Sequence, residues 1–220
     1  MAKKPLKRPR RATEAATQTS HKDAAAATGN PGATRKARRA AGTAPSPVAA
    51  APAPEPQPGR TPCPIVGVGA SAGGLEAFTE FLQHLPPAPG LALVLIQHLD
   101  PTHASQLAEL LARATPLPVT EVKHDTPVEA DHVYVLPSGK GLRLTNGVLH
   151  LVPRPQARGS HHPFDDFLHS LTADQGGTAF GIVLSGADSD GTLGLTALKA
   201  AGGIIFAQEP RSAKFDDMPR

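Results

Sequence analysis

From position 64 onward the chain alternates two textures. Short, continuous apolar runs at Ile65 to Gly69, Leu91 to Gln97, Val119 to Val122, Phe180 to Ser185 and Ile204 to Gln208 have the length and the Val, Ile and Leu content of buried parallel strands. Between them, apolar residues recur at helical spacing. Leu75, Phe78, Phe81, Leu82 and Leu85 do so around Gly74 to His84, and Leu107, Leu110 and Leu111 within His103 to Arg113. Phe164 to Leu171 and Leu193 to Ala201 follow the same pattern. Strand-helix alternation of this kind predicts an α/β fold, with a doubly wound, mostly parallel sheet in a three-layer αβα arrangement. One stretch departs from it. His132 to Leu136, Leu142 to Leu144 and Val148 to Val152 are strand-like pieces joined through glycine and the Asn146-Gly147 turn, which predicts a small antiparallel ribbon on the sheet edge.

The first sixty residues have neither period. They are Ala, Pro, Thr, Lys and Arg without an aromatic residue, too little apolar surface to offset the entropy of ordering, and they read as a disordered basic tail. The boundary thus predicted is 1–60 for the Ala/Pro-rich tail and linker, and 61–220 for the folded domain. Charge sharpens this division. The tail carries twelve Lys or Arg against three acids, and the remaining residues ten against sixteen, so a net +3 conceals a basic arm on an acidic globule. The arm is expected to solubilise the chain, with at most weak attraction for nucleic acid or other polyanions. With Cys63 as the only cysteine, no intramolecular disulfide can form, and a reducing cytoplasm is the expected setting. The longest purely apolar run falls far short of the ~20 residues that cross a bilayer, so no membrane span is expected.

Three strand ends carry candidate chemistry. In Gly69-Ala70-Ser71-Ala72-Gly73 a strand turns sharply into a helix through small residues, the GxSxG pattern that lifts a serine hydroxyl clear of the sheet and turns helix-start amides toward a developing oxyanion. Gly67, Gly69 and Ala72 also fit a dinucleotide fingerprint, so a non-catalytic dinucleotide-binding domain is the alternative from this segment alone. The next strand, however, ends in Gln97-His98 where such a site would place its acid. The strand at Ile182 runs into Leu184-Ser-Gly-Ala-Asp-Ser-Asp-Gly191, offering Asp188 and Asp190; either could equally be an N-cap. With Ser71 as nucleophile, His98 would accept its proton and Asp190 would orient the imidazole. No metal is expected. The His161-His162 pair stands in a Gly- and Pro-rich loop, where it is expected to be solvated, and Cys63 lacks a basic neighbour in sequence.

Taken in order, Gly67 to Leu75, Ile96 to His103, Asp131 to Pro137, Leu184 to Gly191 and Ala213 to Arg220 resemble the catalytic domain of the chemotaxis protein-glutamate methylesterases. The resemblance implies hydrolysis of glutamyl methyl esters on a methylated chemoreceptor or receptor-like protein, in some members glutamine deamidation, with Ser71, His98 and Asp190 as the triad and no cofactor. The backbone amides of Ala72 and Ala187 would form the oxyanion site. Asp188 stands where the family usually has glycine, and an inactive scaffold is the reading if that substitution is disabling. With a basic tail where a phosphorylatable receiver would stand, the sequence more closely resembles the receiver-less version that opens methylesterase-methyltransferase hybrids, which implies a methyltransferase module as partner. The chain stops at Arg220, where the family domain continues through another helix and strand, so a C-terminally truncated fold with one sheet face uncovered is expected.

Overall fold

The computed structural model describes residues 63–97, 106–154 and 162–220; the expected tail lies outside them. Among these residues nine strands and four α-helices follow in the order β1 (Ile65–Ala70), α1 (Gly74–Gln83), β2 (Ala92–Gln97), α2 (Leu107–Leu111), β3 (Val119–Glu121), β4 (Thr126–Pro127), β5 (His132–Val135), β6 (Lys140–Thr145), β7 (Val148–Pro153), α3 (Pro163–Gln175), β8 (Phe180–Val183), α4 (Thr192–Ala200) and β9 (Ile204–Ala207), with a short 3-10 turn at Gly176–Thr178. Six strands form a parallel sheet in the order β3-β5-β2-β1-β8-β9, and β4-β7-β6 form a separate antiparallel one. The fold class expected from the sequence is the one observed.

Continuous apolar strands work here because both faces of the central strands β1 and β2 are covered. Val66, Val68 and Ala70 of β1, with Leu93 and Leu95 of β2, pack in one cluster with Phe78 and Leu82 of α1 and Leu107 and Leu111 of α2. Ala92, Val94 and Ile96 of β2 point the other way, into a cluster with Phe164, Phe167, Leu168 and Leu171 of α3 and with Leu142, Leu144 and Leu149 of the antiparallel sheet. On that second face β1 presents Gly67 and Gly69. A Cβ at Gly67 would lie 3.1 Å from the Phe167 ring, and one at Gly69 only 2.2 Å from the Phe164 ring. These glycines let the α3 aromatics press directly on the strand backbone.

The structure differs from the pattern reading in one strand. His132 to Leu136 was expected in the antiparallel ribbon, yet β5 lies in the parallel sheet between β3 and β2. Its residues Val133, Tyr134 and Val135 are buried in succession, which suits a strand covered on both faces; the nearby turn residues drew it wrongly toward the hairpin. The helix expected over His103 to Arg113 is described only as Leu107–Leu111, since residues 98–105 lie outside the description. Helix α3 extends beyond its expected span to Gln175. At the other sheet margin, β9 leaves Ile204 and Phe206 about half exposed.

Candidate active site

The strand order reverses around β1, where the chain runs out through β2 and β5 on one side and returns through β8 and β9 on the other. Open parallel sheets hold their sites beyond the carboxyl ends of the strands at such a switch point. Here the two small-residue loops after β1 and β8 meet. Ser71 follows β1 directly, its N–H donates to the Ser185 carbonyl oxygen at 3.0 Å, and its own carbonyl accepts from Gly74 at 2.9 Å. Gly73 closes the turn with φ 73°, a left-handed conformation that lets α1 begin at once. A Cβ there would also stand 2.8 Å from Ser185 Oγ.

Ser185 ties the two loops together. Its side chain is almost fully buried, donates from Oγ to the Ala72 carbonyl at 2.9 Å, and accepts from the Phe215 N–H at 3.0 Å. The segment around Asp216 then lies alongside Gly186, which exchanges backbone hydrogen bonds with Phe215 and Met218. A Cβ on Gly186 would collide with the Met218 thioether and come within 3.1 Å of Ser71 Cβ, so glycine at 186 lets Met218 pack beside the serine. Among the described residues, no acceptor is bonded to the N–H of Ala72 or of Ala187.

Asp190 is buried, and its carboxylate has a structural task. Oδ2 accepts from the Phe164 N–H and Oδ1 from the Asp165 N–H, each at 3.0 Å, so the acid caps the first turn of α3 from 25 residues away. Sequence reasoning anticipated a cap as the competing role, but for the helix that follows Asp190. The service is returned by Asp165, a residue the sequence did not single out. Its Oδ1 accepts from Gly194 at 2.6 Å in the first turn of α4, and the two helix starts cap each other. The available signal was the acidic pair after Pro163, common in a first helical turn. Asp188 turns its Oδ1 back to the Asp190 N–H at 3.0 Å and so braces the loop.

Of the three residues expected to act together, Ser71 and Asp190 are described, while His98 lies outside the described residues, next to the end of β2. The neighbouring Gln97 donates from Nε2 to the Ser71 carbonyl at 3.3 Å, and its buried Oε1 has no hydrogen-bond partner among the described residues. His162, dismissed from sequence as solvated, stands half exposed with Nδ1 3.9 Å from Asp190 Oδ1. At the rim of α1 the Glu76 carboxyl is held below the ordinary carboxylate range, first by its own backbone N–H and then by the Lys214 ammonium 3.2 Å away.

The family model described as CheB methylesterase matches residues 66–220. The chain belongs to this family. Protein-glutamate methylesterase/protein-glutamine glutaminase 2 of Burkholderia pseudomallei (strain 1710b) is 37% identical over 158 residues, 71% of this chain and 46% of that protein. Number 1 of the same name and strain is 36% identical over 162 residues, 71% of this chain and 44% of its length. The chain therefore spans somewhat less than half of the curated relatives it matches. Among solved structures, the CheB methylesterase catalytic domain of Thermotoga maritima superposes with a TM-score of 0.65 at 25% identity, covering 72% of this chain and 86% of that one.

Membership in the CheB methylesterase family bears on the alternative raised by Gly67 and Gly69. Both glycines face aromatic rings of α3, so their smallness serves helix packing, and no room for a pyrophosphate follows from it.

Proposed function

We propose that this domain is a serine hydrolase that removes methyl groups from glutamyl methyl esters of a chemoreceptor or receptor-like protein, and that it can also deamidate glutamine. In this reading Ser71 Oγ attacks the ester carbonyl while His98 takes its proton. The tetrahedral oxyanion is met by the amides of Ala72 and Ala187, and His98 returns the proton to the departing methoxy oxygen, releasing methanol. Water then adds to the acyl-serine by the same route in reverse, giving a glutamate carboxylate and free Ser71. Asp190 would hold the imidazole tautomer and stabilise its cation.

The observation that supports this most is the strand order β2-β1-β8, since in sequence His98, Ser71 and Asp190 follow these three neighbouring parallel strands. The names of the relatives support the substrate class. Residues 61–220 would act as the catalytic domain and residues 1–60 as a basic, solubilising tail, in a cytoplasmic protein that works beside a methyltransferase module. No helix among the described residues is long and apolar enough to cross a membrane. The test is methanol release from methylated receptor, wild type beside Ser71→Ala, with labelling by a fluorophosphonate as a second readout. Turnover and labelling should both vanish in the variant; undiminished turnover would overturn the assignment.

A further inference from the structure

At the far margin of the antiparallel sheet two imidazoles and a carboxylate stand together outside the rim just described. His124 and Asp125 precede β4, and His150 lies within β7; the pairing Thr126 with Leu149 sets Asp125 opposite His150 one step along the ladder. Their ligand atoms all lie within 4.8 Å of one another. His150 Nδ1 is 2.7 Å and His124 Nε2 3.5 Å from the same Asp125 Oδ1, and the two rings meet edge to face at 5.8 Å between centroids. The turn that presents them is held on both sides: Thr126 Oγ1 donates to the Lys123 carbonyl at 2.6 Å and accepts from the Lys123 N–H at 3.2 Å. His124 and Asp125 are mostly exposed and His150 about one-third exposed, so the cluster opens to water on one side.

We infer that His124, Asp125 and His150 form a binding site for a borderline divalent transition ion of the zinc class. Two imidazoles with one carboxylate suit Zn²⁺, Co²⁺ or Ni²⁺ and are a poor match for Mg²⁺ or Ca²⁺, which prefer oxygen throughout. The spacing also fits. Ligand atoms about 2.0 to 2.1 Å from a tetrahedral zinc stand about 3.4 Å apart, so the 3.5 Å pair is already in place, the 2.7 Å pair must open by about 0.7 Å, and the two imidazole nitrogens, within 4.8 Å, need only close toward that spacing. Water fills the fourth position, and the ion clips the turn before β4 to β7. The sequence did not point here, because the ligands come from separate segments with no metal-binding spacing. A second constellation, His162, Asp165 and Asp190, offers less, since both carboxylates there already accept helix N–H groups.

The full chain titrated with zinc chloride, and with cobalt chloride for its visible absorption, decides the matter. One equivalent should bind with a rise in thermal midpoint and a nitrogen-rich cobalt spectrum, and magnesium chloride should do neither. His124→Gln and His150→Gln should each weaken that equivalent by more than the roughly 10- to 100-fold that follows loss of a mere outer-shell partner. Asp125→Asn should do so too, and it suits the left-handed φ of 58° there, so its fold is secure. His162→Gln should leave binding unchanged. Absence of a zinc-dependent midpoint rise, equal binding of magnesium, or full zinc binding in the His124, Asp125 and His150 variants would each overturn the site.

Discussion

The loops after β1 and β8 are built alike at both ends and differently in the middle. Each leaves a parallel strand, buried throughout in β1 and at alternate residues in β8, and enters its helix through a left-handed glycine, Gly73 at φ 73° or Gly191 at φ 102°. The first loop spans only three residues, and among the described residues Ser71 is held through its own backbone groups, by the Ser185 carbonyl, the Gly74 N–H and the Gln97 amide. The second is longer and anchored by side chains: Ser185 to the first loop, Asp188 to its own chain, Asp190 to α3. In the proposed mechanism the nucleophile needs an accessible hydroxyl, whereas the orienting acid needs a fixed position. The lesson is that a change in the first loop should cost rate and one in the second should cost rate and stability together.

The largest effect that sharpens this contrast is expected from Ser71→Ala. Methyl-ester hydrolysis should fall by on the order of 10⁴ or more, with an unchanged denaturation midpoint. Asp190→Asn comes next. It should cost on the order of 10⁴ in rate and, because one of two buried amide bonds to α3 is lost, about 1 to 3 kcal/mol in urea denaturation. A variant that lost stability yet kept its rate would leave Asp190 as a cap only and break the comparison.

Smaller effects probe the packing behind the loops. Gly69→Ala forces a methyl group into the Phe164 ring and should cost about 1 to 3 kcal/mol, part of it recovered by adding Phe164→Leu. Asp165→Ala removes the cap of α4 and should cost about 1 to 2 kcal/mol in thermal denaturation while the rate stays within a few fold. A rate loss as large as that of Asp190→Asn would mean that the two carboxylates cannot be separated into chemistry and support.

What the sequence made legible is what local pattern encodes. The strand at Ile65, the GxSxG turn and the glycine before α4 follow from small residues in a tight turn and from unbroken apolar runs, and each stands where the pattern put it. The placement of β5 was not legible, because a buried parallel strand and a hairpin arm differ in what covers them, which a run of four residues does not record. Nor was the mutual capping of α3 and α4: Asp190 reads as a cap of its own helix until the fold brings Phe164 to it. His98 fits the pattern at the end of β2 but lies outside the described residues.

The exchange of caps has a consequence for the order of assembly. On the ribosome α3 emerges before Asp190, so its first-turn amides remain bonded to water or unpaired until some 25 further residues have been made and β8 has docked. The carboxylate in turn is immobilised only once that helix is there to receive it. Under the proposed mechanism, a nascent or partly unravelled chain carries Ser71 without Asp190 fixed in place, so the reactivity proposed for that hydroxyl is withheld until the two halves of the sheet have closed on each other.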